Sequence, residues 1–207
     1  MGFVKIAMLH HQTYFRTRLH QATDAQHARL NQHPMLVGLL QPAYPLGKYQ
    51  RLLSAYFYLF GVLESRIMHA LDQHAGAFNY SERRKQPWLT QDLAYFQLAP
   101  ELHSTGLNQP ALQTPLSLSQ LFGVLYVVEG STLGGQVISR HLNTHMGLTP
   151  DAGAAFFQGY GARTGPMWQS FLNQANRMIK DEADYQSAEV AACGTFDLFN
   201  QVLDDYC

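Results

Sequence analysis

Apolar residues recur at every third or fourth position along most of this chain, a period that admits little except helices packed on helices. Between residues 46 and 75, Leu52, Leu53, Tyr56, Leu59, Phe60, Leu63, Ile67 and Leu71 share one stripe, as in a helix with one face in a core. Phe15, Leu19, Ala22, Gln26 and Leu30 repeat the pattern in a first helix over 12–32, closed by Pro34. Gly76 to Pro87 reads as a loop, and Thr90 as the N-cap of a short helix reaching Glu101. Residues 103–116, with Gly106, Pro110 and Pro115, read as a connection. Ser117-Leu-Ser-Gln120 has the form of a capping box and opens a helix to Met146. Thr149-Pro150 starts a short helix that Gly159-Tyr-Gly161 breaks, and helices over 164–180 and 183–204 follow. The alternating β-branched runs that a sheet requires are missing. The expectation is an all-α bundle of seven or eight helices in a single domain over 1–207.

Charge narrows the function. With 14 Lys and Arg against 15 Asp and Glu, the chain lacks the cationic surplus that nucleic-acid binding needs. Its longest apolar run, Leu121 to Val128, is far shorter than a membrane span. The N-terminal residues Met1 to Met8 do not read as a signal peptide. Cys193 and Cys207 have neither metal-type spacing nor the look of a disulfide framework. These features predict a cytoplasmic protein that binds neither membrane nor nucleic acid.

Two stretches carry the chemistry. Within the helix over 117–146, Gly130, Gly134 and Gly135 interrupt good helix formers, each at about 1 kcal/mol relative to alanine. Gly130 and Gly134 lie one turn apart, so one patch of the helix lacks Cβ atoms. That patch suits either a tight helix crossing or the close approach of something flat. In the first helix, His20, Thr23 and His27 share a stripe, with the histidines roughly 10.5 Å apart along the axis. That spacing would let one imidazole reach the centre of a heme and the other its propionate edge, and imidazole is a common iron ligand.

Together these stretches form a recognisable pattern. Leu19-His-Gln-Ala-Thr23-Asp-Ala-Gln-His27 resembles the proximal helix of heme oxygenases, and Leu125-Tyr-Val-Val-Glu-Gly130-Ser-Thr-Leu-Gly134-Gly-Gln-Val-Ile138 resembles their glycine-rich distal helix. The form Glu-Gly-Ser-x-Leu-Gly is that of the bacterial, phytochrome-associated branch. Phe156 to Trp168 is similar to a later segment of bacterial members. The resemblance implies the multi-helix bundle of that family and the O2- and electron-dependent opening of heme to biliverdin, with release of CO and iron. It implies heme as both substrate and cofactor, with His27 as the iron ligand. Gly130, Ser131 and Gly134 take the catalytic wall. His20, Thr23, Tyr126, Gly135, Arg163 and Arg177 take the heme, the last two facing its propionates. Electrons would come from a ferredoxin or a reductase, since no flavin or nicotinamide motif is visible, and the resemblance implies a phytochrome as acceptor of biliverdin.

Three positions depart from mammalian members. Ser131 replaces an aspartate, His20 a lysine, and Asn31 a glutamate that neighbours the ligand. Phe122 and Trp168 are further aromatic candidates for the pocket wall, Glu129 is either a buried or an exposed acid, and Cys193 reads as a small core residue. Three other functions compete. A di-iron oxidase would need Glu-x-x-His pairs, and no glutamate here has a histidine three residues on. A thiaminase-like enzyme would need a nucleophilic cysteine. A heme carrier would share the ligand and the cleft without turnover.

Overall fold

The computed structural model describes residues 2–99 and 114–207, with side chains from residue 14 onward. The helices among them are α1 (Gly2–Asn31), α2 (Leu46–Gln73), α3 (Gln86–Tyr95), α4 (Leu118–Met146), the single turn α5 (Ala155–Gln158), α6 (Thr164–Met178) and α7 (Glu182–Asp205). Short 3-10 turns at Ser81–Arg83 and Gly161–Arg163 precede α3 and α6.

Helix α4 is the axis of the bundle, and both its ends follow from sequence. The Ser117 hydroxyl accepts from the Gln120 amide at 3.2 Å while the Gln120 side chain accepts from the Ser117 amide at 2.9 Å, so two otherwise orphaned donors are satisfied. At the other end Gly147 takes the left-handed conformation, φ 68°, that stops a helix. By length and composition α4 is apolar enough to cross a membrane, with mean hydropathy 1.3 over its most apolar window. Yet 61% of that window is buried inside the protein, as in a core helix.

Helices α1 and α7 flank this axis. Phe15 and Leu19 of α1 are fully buried with Leu121, Phe122 and Leu125 of α4 and Ala188 and Ala192 of α7 in one apolar core. Burying each large aliphatic or aromatic side chain contributes about 1.5–3 kcal/mol. At Gly123 a Cβ would lie 2.1 Å from the Ala188 carbonyl oxygen, so α4 and α7 touch backbone to backbone there. Arg18 of α1 clamps α7, donating to Glu182 at 2.9 Å and to Glu189 at 2.7 Å.

The boundaries depart from expectation in three places. Helix α3 starts at Gln86, not at Thr90, because the buried Glu64 carboxylate on α2 accepts from the Lys85 and Gln86 amides and caps the helix from outside. Thr90 is an interior residue whose hydroxyl returns to the Gln86 carbonyl at 2.9 Å. The segment after Thr149-Pro150 is a turn closed by a Thr149–Ala152 bridge, and helix resumes at Ala155. There Asp92 of α3 accepts from the Ala155 and Phe156 amides at 2.7 and 2.9 Å. Helix α1 extends back to Gly2. The expected end of α3 at Glu101 and most of the 103–116 connection lie outside the described residues.

Candidate heme cleft

A cleft of about 760 Å³ opens between α1 and α4, within the range of about 300–1,000 Å³ typical of small-molecule sites. Helix α1 contributes Arg16, His20, Thr23 and His27. Helix α4 contributes Tyr126, Gly130, Ser131, Gly134 and Gly135. Residues 36–41 of the turn after α1 form a further wall, as do Phe156 and Phe157 of α5 and Phe196 and Phe199 of α7. Val37, Leu40 and Leu133, all in this lining, are large apolar side chains left exposed. Solvent gains nothing from such residues, so the cleft is built for an apolar partner.

The α1 stripe is held as its spacing predicts. Thr23 is buried and its hydroxyl donates to the Leu19 carbonyl at 2.7 Å. His27 is exposed to the cleft, edge-on to the Phe196 ring at 5.7 Å. Its Nδ1 lies 3.5 Å from the Asn31 amide nitrogen. A half-turn of that amide would present its oxygen to a protonated Nδ1, leaving Nε2 for a metal. Tyr126 rests against Trp168 at 5.8 Å between ring centroids, and burial pushes its phenol pKa up.

The glycines divide between the two roles left open by their spacing. A Cβ on Gly134 would meet nothing within 4 Å, and one on Gly130 would reach only the Trp168 ring at 3.8 Å. These two leave open space in the cleft. A Cβ on Gly135 would stand 2.9 Å from the Phe157 carbonyl oxygen, so that glycine also lets α5 pack close to α4. The Ser131 hydroxyl donates to the Val128 carbonyl at 2.8 Å, which leaves its lone pairs free but its hydrogen committed.

Other expected residues fall elsewhere. Arg163 is exposed at the end of the Gly161–Arg163 turn, 3.6 Å from Glu82. Arg177 lines a separate hollow with Phe78, Glu82 and Arg83. Neither lines the cleft; its cationic edge is Arg16, with His20. Phe122 is a core ring stacked on Phe171 rather than a wall of the cleft. Trp168 does line it. Glu129 is wholly buried, paired with Arg83 and Lys85. Cys193 is half-buried, its thiol against the Ala22 carbonyl at 3.3 Å, and burial raises its pKa away from the nucleophilic range. Among the described residues, no three His, Cys, Asp or Glu side chains converge as a metal site.

Sequence reasoning did not single out Arg16, Lys85 or the 36–41 turn, and it read Phe156 and Phe157 only as the start of a family-like segment, not as a wall of the cleft. For Lys85 the sequence offers only the basic run Arg83-Arg84-Lys85 between two helices, which does not distinguish a buried cation from a solvated one.

The sequence profile of the heme oxygenase family matches residues 13–205. The chain belongs to the heme oxygenase family. It is therefore a heme-degrading oxidoreductase that takes heme as substrate. Solved structures agree in fold. The NO- and CO-bound heme oxygenase of Neisseria meningitidis is 19% identical, with a TM-score of 0.75 over 93% of this chain and 92% of that one. The heme complex of heme oxygenase-1 from the cyanobacterium Synechocystis is 16% identical, with a TM-score of 0.75 over 92% and 90%. The heme oxygenase of Leptospira interrogans is 17% identical, with a TM-score of 0.72 over 91% and 97%. A comparison with curated proteins returns no match. The all-helical bundle expected from periodicity is the fold of these structures.

Proposed function

We propose that heme lies in the α1–α4 cleft with its iron on Nε2 of His27 and its ring against the Gly130–Gly134 patch. The carrying observation is that one cleft presents an imidazole from α1 and, from α4, a glycine with empty space where a side chain would be. Bound heme supplies the iron that activates O2 and is itself the ring opened to biliverdin, with CO and iron released. The chain's own residues do the rest. His27 is neutral when it binds metal, and Asn31 holds its other nitrogen and so fixes the ring plane. Gly130 and Gly134 let backbone approach the ring and limit the directions open to a small ligand. Ser131 and Tyr126 offer oxygen atoms at the same wall. Arg16 and His20 suit the propionates in place of Arg163 and Arg177, because a carboxylate left without a cation or water at the cleft edge is costly.

Electrons come from a separate ferredoxin or reductase, as no flavin or nicotinamide motif is visible in the sequence. The Glu129–Gly134 run supports a phytochrome-type photoreceptor as acceptor of the bilin. The free cysteines and buried α4 support a cytoplasmic location. A carrier that holds heme without turnover would use the same cleft, so the test is hemin with a reductant under air. The expected result is loss of the Soret band and growth of a broad red absorbance. A persistent oxy complex would refute the oxygenase reading.

A further inference from the structure

Behind the α4 wall of the cleft lies a buried charge cluster that the heme reading does not use. Glu129, the residue before Gly130, is 0% exposed, and Lys85 and Arg83 are 1% and 5% exposed. One Glu129 oxygen accepts from Lys85 Nζ at 2.9 Å and the other from Arg83 Nη1. Tyr160 donates its hydroxyl to the same carboxylate, at 2.9 and 3.1 Å to the two oxygens. Lys85 Nζ also reaches the Arg83 carbonyl and the Tyr160 oxygen, both at 2.6 Å. Beside it the buried Glu64 pairs with the half-exposed Arg84 at 3.1 Å. Tyr80 completes the surroundings, its ring 5.8 Å from Lys85 Nζ.

The charge balance is uneven. Counted together, Arg83, Arg84 and Lys85 face the two carboxylates of Glu64 and Glu129, so the group carries one net positive charge, with Lys85 and Arg83 buried and Arg84 half-exposed. Lys85 Nζ lies within hydrogen-bond distance of three oxygens, as many as the three hydrogens of an ammonium group can serve. Burial lowers the Lys85 pKa and Glu129 opposes that effect. Lys85 also lines the cleft itself, and it is the one wholly buried cation among the described lining residues.

Accordingly, we infer that the Lys85–Glu129–Arg83 cluster acts as a fixed positive charge behind the Gly130 wall, favouring anionic over neutral ligands in the cleft. It rests on the heme reading above. Its role in the reaction is to stabilise the negative charge that builds in the cleft as O2 is reduced, without moving to do so. Lys85 and Glu129 are positioning residues in this sense, acting through their field.

The test uses the ferric hemin complex and measures binding of azide, an anion, against imidazole, a neutral ligand. At an effective dielectric near 20, removing a unit charge about 10 Å from an anion changes its binding on the order of ten-fold. Lys85→Met should weaken azide on that scale, Glu129→Gln should tighten it, and the double variant should return near wild type. Imidazole affinity should stay within about two-fold throughout. Damage to packing would move both single variants the same way, so shifts in one direction, no shift, or equal shifts with imidazole would overturn the inference. Because breaking a buried pair can cost about 3–5 kcal/mol, Arg83→Gln serves as a second charge removal, with folding checked by thermal melting. A wild-type hemin complex lacking a His27-dependent Soret band would instead refute the heme reading itself.

Discussion

Substituting Gly134 separates stability from function in opposite directions. This residue lies inside α4, in open space on the cleft side. Alanine is about 1 kcal/mol better than glycine in a helix interior, and nothing within 4 Å of the new methyl offsets that gain. For a chain of this size the gain amounts to a rise of about 2–4 °C in Tm. The same methyl occupies the space a flat ligand would use. Gly134→Ala should thus melt higher while losing turnover, and Gly134→Leu should lose about ten-fold or more, since displacements of about 1 Å at a reacting centre can cost about a hundred-fold. Two neighbours on the same helix give the contrast. Gly123→Ala puts a methyl against the Ala188 carbonyl and Gly135→Ala against the Phe157 carbonyl. Neither backbone can step aside easily, so both should destabilise, by about 1–3 kcal/mol. The assays are thermal denaturation of the heme-free chain and hemin consumption under reductant and air. A lower Tm for Gly134→Ala, or full turnover in Gly134→Leu, would refute the division of the glycines into one set for the cleft and another for helix packing.

Arg16→Ala should weaken hemin binding several-fold, whereas Arg163→Ala and Arg177→Ala should leave it unchanged in fluorescence-quenching titrations; the reverse ranking would return the propionates to the later helix. Ser131→Ala should slow hemin consumption only about two- to five-fold, because its hydrogen is already spent on Val128, and a hundred-fold loss would show that the serine supplies the proton. Asp92 tests linkage: burial raises its pKa from 3.8 to about 6 against the pull of its two backbone donors. The folded chain therefore binds this proton more tightly than the unfolded chain. Its contribution to stability grows as pH falls from about 7 to about 4 and is lost as pH rises through about 6. Asp92→Asn should flatten that part of the stability–pH curve, and an unaltered slope would mean that another group sets it.

The bundle was legible because its cause is periodic and local. Apolar spacing marks the long helices, and the Ser117 capping box and Gly147 mark the ends of α4 with chemistry confined to a few residues. The stripe of His20, Thr23 and His27 was legible for the same reason. What the sequence concealed depends on distant partners. Helix α3 begins where Glu64, some twenty residues earlier, offers a carboxylate. The Phe156–Phe157 wall stands where Asp92 receives its amides. Glycine spacing alone could not separate Gly134, which faces space, from Gly135, which also faces a carbonyl. Arg163 and Arg177 were assigned by position within the family pattern, and their placement depends on how α6 and the Gly161–Arg163 turn before it sit against α4.

The most direct measurement is the ferric hemin spectrum of His27→Ala with and without added imidazole. The account predicts that the substitution abolishes the histidine-ligated spectrum and turnover, and that exogenous imidazole restores the spectrum by filling the vacated place. An unchanged Soret band and undiminished biliverdin formation in His27→Ala would contradict it.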